Sequence, residues 1–144
     1  MKLGRNEMRV LGTIATVSYF TGAVLFLLSN WLRVATPIGE QHSPAEHWVR
    51  AFHTTITYSA TLAVGYLIKG HVLPGLRIRR RIWSGGVNLG VVVTLTVSAL
   101  MIFYAGESDW NSYATQVHAI VGLMCPIFLL FHAVFRYKSR RNVR

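Results

Sequence analysis

Four long apolar runs constrain this chain more than any other feature. They cover residues 10–32, 51–71, 85–106 and 113–135, and the first has no charged residue along its whole length. A bilayer core of about 30 Å takes roughly 20 helical residues to cross. Backbone at that depth must satisfy its hydrogen bonds internally, and a single run does so only as a helix. The chain is 52% hydrophobic and 14% charged over 144 residues, as expected of a membrane protein. The expected fold is therefore all-α, a single-domain integral-membrane four-helix bundle over residues 1–144.

Charge distribution sets the expected topology. The formal charge of +10 does not point to nucleic acid, because the basic residues flank apolar runs. With four spans, 13 of the 15 Lys and Arg residues fall on one side with both ends of the chain, leaving Arg33 and Arg50 on the other beside Glu40, Glu46, Glu107 and Asp109. The positive-inside rule then gives both termini in the cytoplasm of a bacterium, with the spans in its inner membrane. Trp31, Trp48 and Trp110 fall near the outer interface and Trp83 near the inner one. The opening MKLGRNEMR resembles the start of a signal peptide, but the run after it is too long for one and is expected to be retained. Arg77, Arg79, Arg80 and Arg81 are read as a topology signal and a site for anionic lipid.

Six histidines are grouped rather than scattered. His42 and His47 lie in the outer loop, where solvent exposure or a role near a quinone or partner is expected. His53 and His71 lie on the second span, His118 and His132 on the fourth. Ionisable groups inside a membrane are costly and usually functional. At 3.6 residues per turn, the eighteen residues from His53 to His71 make five turns, and the fourteen from His118 to His132 return to within about 40°. Each pair thus shares a face. Because the two spans run in one direction, His53 is level with His118 and His71 with His132. Two such pairs are what two bis-histidine haems require, since neutral imidazole is a common axial ligand. The intervals differ, about 27 Å against about 21 Å, so tilt or a kink at Pro126 has to absorb the remainder. Gly122 and Cys125, with Thr57 and Ala60, supply small side chains on the ligand faces.

The stretch HAIVGLMCPIFLLFHAVFR carries a His-x3-Gly-x9-His pattern followed by Arg, with Gly70-His71 closing the second span and FYAGES preceding the fourth. Over roughly residues 47–141 this resembles the small four-helix di-haem cytochromes b of bacterial membranes, relatives of the cytochrome b subunits of hydrogenases and formate dehydrogenases. The resemblance implies two b haems ligated through iron by His53, His71, His118 and His132, and Gly122 as a packing residue. It also implies electron transfer across the membrane with a partner subunit. Arg50 and Arg136 are candidate partners for haem propionates at the outer and inner ends.

Other readings remain open on the sequence. A single haem would leave one pair structural. A cofactor-free anchor, or a small metal or proton transporter, would use the histidines as relays, although no carboxylate lies inside a span. Gly12, Gly22, Gly85, Gly86 and Gly90 are read first as helix-packing residues, and Cys125 as a small buried group. The leading expectation is an electron-transfer subunit working between a quinone or cytoplasmic donor and a periplasmic partner, with no catalytic residue of its own.

Overall fold

In a computed structural model the chain is described over residues 4–37, 39–77 and 82–141. It divides into two compact units, Met1–Gly70 and His71–Arg144, each containing an antiparallel pair of long helices.

In the first unit, α1 runs Arg5–Trp31. Its start is fixed by Glu7, whose carboxylate accepts from the Gly4 amide at 2.7 Å, satisfying one of the amides a helix start leaves without a partner. A short hairpin follows, β1 (Arg33–Thr36) against β2 (Gly39–His42), with Arg33 opposite His42 and Thr36 opposite Gly39. Gly39 takes φ 110°, which a residue without Cβ reaches cheaply. Helix α2 (Pro44–Leu67) opens on Ser43, whose Oγ accepts from the Ala45 amide at 3.2 Å, with Pro44 in the first turn. It begins earlier than the second apolar run, so His47 is a residue of its first turns and not of a loop.

Beyond α2 the helical path widens into a π-turn over Ile68–Val72 and then α3, Leu73–Arg77. Pro74 explains the widening. It has no amide to give the Gly70 carbonyl and its ring collides with that carbonyl in a regular α-helix, and a π-turn relieves both. A shared face for His53 and His71 requires regular α-helix throughout. That regularity holds only as far as Leu67, and His71 sits inside the turn that alters it.

The second unit holds α4 (Ile82–Tyr104) and α5 (Asp109–Arg141). Gly106 at φ 60° turns the chain between them. Asn111 Nδ2 donates to the Ile102 carbonyl at 2.9 Å, tying the start of α5 to the end of α4. The inner seam of α4 is Val91, Leu95, Ser98 and Ile102, at helical spacing, and Val91 and Ser98 are buried on it, as is Ala114 on α5. Helix α5 continues through Pro126.

Among the described residues three helices are long and apolar enough to cross a membrane: Arg5–Trp31, Gly85–Tyr104 and Asp109–His132. They carry large apolar groups in the open, such as Phe20, Ile120 and Leu130, each more than 60% exposed. Lipid, rather than water, suits such a surface. Helix α2 forms over the second expected span but is more polar, carrying Glu46, His47, Arg50 and His53 and then Thr54, Thr55, Thr57, Ser59 and Thr61.

Candidate functional site

Thr21 on α1 faces His53 on α2. Its hydroxyl lies 2.8 Å from the Val17 carbonyl and 3.1 Å from that of Ser18, the back-bonding usual for a helical Thr. We assign its one proton to the shorter of these, the Val17 carbonyl. The 2.9 Å contact between Thr21 Oγ1 and His53 Nδ1 is then a bond in which Nδ1–H donates and the hydroxyl oxygen accepts. The lone pair of the imidazole is left on Nε2. Gly22 lets the ring in: a Cβ there would stand 3.0 Å from His53 Cε1. Gly22 is thus a packing residue that admits the histidine.

The second unit repeats this arrangement with different residues. Ser98 Oγ donates to the Thr94 carbonyl at 2.7 Å and lies 2.9 Å from His118 Nδ1. The same assignment of the hydroxyl proton makes His118 an Nδ1–H donor with its lone pair on Nε2, and the ring also hydrogen-bonds the Leu95 backbone. Ser98 is only 4% exposed, so this bond is shielded from water. One turn along α5, Gly122 faces Leu95 of α4, where an added Cβ would meet Cδ2 at 3.8 Å, an ordinary contact. His53 and His118 are each the tenth residue of their helix.

The remaining candidates are placed as follows. His132 lies on α5, partly exposed. His71 is in the π-turn and Arg136 in α5, and the side chains of both lie outside the described residues. Arg50 forms an ion pair with Glu46. Cys125 is a free, partly buried thiol on α5.

Sequence reasoning missed Glu46. It is 2% exposed, accepts from Ser29 Oγ at 2.9 Å and from Arg50, and pairs with His42 Nδ1 at 2.7 Å. One carboxylate thus joins the end of α1, the end of β2 and the first turns of α2. Burial pushes its pKa up, but the bonds from Ser29, Arg50 and His42 outweigh that and hold it below the ordinary carboxylate value. His42 is accordingly tied to Glu46 although its side chain is 60% exposed, while His47 is exposed and packs edge-on against Trp48. The signal was the S-P-A-E sequence at residues 43–46, a capping-box pattern, here with its Glu turned inward.

Among the described residues no group of three or more His, Cys, Asp or Glu side chains is placed to hold a bare metal ion. A haem iron asks less of the chain, one or two imidazole nitrogens, and His53 and His118 suit it in tautomer. No protein-family model, curated protein or solved structure matches this chain.

Proposed function

We propose that this chain is a b-type cytochrome of a bacterial inner membrane, an electron-transfer subunit with both termini in the cytoplasm and its four long helices forming a bundle. In this reading His53 and His118 serve one haem and His71 and His132 a second. The observation that carries it is the repeated hydroxyl lock: in each helix pair a buried or half-buried Ser or Thr, its own proton spent on its helix, holds a histidine as the Nδ1–H tautomer. An imidazole fixed this way presents the basic nitrogen used for axial ligation, and the hydrogen bond on the other nitrogen orients the ring and strengthens it as a ligand. A hydrogen-bonded core histidine needs only one such lock. Two, at the same position of two helices, suit a paired role.

The bound haem would supply one-electron chemistry. The chain's own work is to place Nε2, hold the proton on Nδ1, and keep water away with its apolar helices. Arg50, already paired with Glu46, has further N–H groups for a propionate at the outer end, and Arg136 is the corresponding candidate at the inner end. Electrons would pass between a quinone or cytoplasmic donor and a periplasmic partner.

The test is a reduced-minus-oxidised visible spectrum with a pyridine haemochrome count, on wild type and on His53→Ala, His71→Ala, His118→Ala and His132→Ala. Two b haems per chain, with one lost in each paired set, are expected. A folded, colourless wild type would refute the reading in favour of an anchor or transporter, and one haem would leave one histidine pair structural.

A further inference from the structure

Glu46 and His53 lie on the same stripe of α2. They are seven residues apart, two turns or about 10 Å along the helix, and both face α1, Glu46 through Ser29 and His53 through Thr21. A buried carboxylate is poorly screened, so at that separation it responds to a unit change of charge by more than thermal energy. Most buried carboxylates have no route for a proton. This one does, because its partner His42 is 60% exposed and stands in an open depression lined by Ser43, Pro44, His47 and Arg50.

We propose that the Glu46–His42 pair is a proton-exchange site coupled to the redox state of the His53 centre. The inference rests on the haem reading and adds to it a proton. When one electron arrives at the His53 centre from the chain's donor, one proton passes from water through the exposed imidazole to the pair. The added negative charge is thereby balanced, and oxidation returns the proton to water. No bond other than that to the proton forms or breaks.

The groups around the pair fit this role. From α1 only the neutral Ser29 hydroxyl faces Glu46. From β2 come His42 and, two residues before it, Glu40; from β1 comes Arg33, opposite His42 across the ladder. From α2 come Arg50 and, in the same depression, His47. A guanidinium has no lone pair to accept a proton, which leaves the imidazole–carboxylate pair to take it up, and among the described residues Glu46 is the only carboxylate that touches His42.

The experiment is a redox titration of the purified holoprotein across pH 5 to 8, with proton uptake on reduction followed by an indicator dye in weak buffer. The variants are Glu46→Gln, His42→Gln and, as control, Glu40→Gln. In wild type and Glu40→Gln the midpoint potential of one haem should fall as pH rises, approaching about 59 mV per tenfold change in proton concentration, with proton uptake alongside. Glu46→Gln should flatten that dependence and lose the uptake at unchanged haem content. His42→Gln, which keeps Glu46 on Ser29 and Arg50, should do so too and serves if Glu46→Gln fails to fold. Haem present with a pH-independent wild-type potential, or pH dependence intact in both variants, would overturn this inference and leave the haem reading standing. A folded protein without haem would overturn both.

Discussion

Gly22 of α1 and His53 of α2 approach so closely that a methyl group on the glycine would stand 3.0 Å from the imidazole Cε1. Gly22→Ala therefore requires the ring to give by a few tenths of an ångström, at a cost of about 1–3 kcal/mol against a helix-propensity gain of up to about 1 kcal/mol, for a net loss where the Thr21 bond holds the ring in place. Thermal unfolding in detergent should show the loss, and the His53 ring nitrogens should shift in nitrogen NMR. Gly122→Ala meets Leu95 only at 3.8 Å and gains helix propensity worth up to about 1 kcal/mol. It should leave the apoprotein at least as stable. Equal losses at both positions would show that neither follows from packing.

The hydroxyl locks make a spectroscopic prediction. In wild type His53 and His118 should both appear as Nδ1–H tautomers without cofactor. Ser98→Ala removes the hydroxyl acceptor of His118 and leaves the ring only the Leu95 carbonyl, which should cost up to about 1 kcal/mol and shift the ring nitrogen signals. Thr21→Val removes the hydroxyl contact to His53 Nδ1 and should likewise shift the ring nitrogen signals of His53. Unchanged nitrogen shifts in both variants would remove the locks from the account.

Glu46 predicts how stability depends on pH. Its folded pKa is lower than its unfolded one, so its contribution is complete above the ordinary carboxylate value of about 4.3. It disappears as pH falls through the lower, folded value. Wild-type melting temperature should drop in that acid range, and Glu46→Gln should show a flatter profile. Glu46→Ala, which leaves Ser29, Arg50 and His42 without their shared acceptor, should lose about 1–3 kcal/mol near neutral pH.

Pro74 accounts for the π-turn over Ile68–Val72. Pro74→Ala supplies the amide that a regular α-helix would give the Gly70 carbonyl, and the segment should relax toward regular α-helix, with the new amide at residue 74 protected from exchange like those of α2. An exchange rate there as fast as in the turns would place the cause of the π-turn elsewhere.

Much of the helical framework was legible because apolar runs of membrane length allow little else. The start of α2 was not, since the polar residues 44–50 do not look like membrane helix, although Ser43 and Pro44 mark the cap. The hairpin was missed because Arg33–Thr36 and Gly39–His42 are short and show no alternation of polar and apolar residues. The histidines stood out by chemistry. Their partners Thr21 and Ser98 did not, because a hydroxyl in an apolar helix bonds to its own backbone wherever it occurs, and only the register of the neighbouring helix gives it a second task. Phase counting failed at His71 for a similar reason: it counted residues as though Pro74 had no effect on the preceding turn.

Each hydroxyl lock lies wholly within one pair of sequence-adjacent helices, Thr21 with His53 and Ser98 with His118. During synthesis the first histidine can therefore reach its final protonation pattern as soon as α2 has folded back on α1, while the last helices are still on the ribosome. Neither half of the chain has to wait for the other to learn which nitrogen to offer.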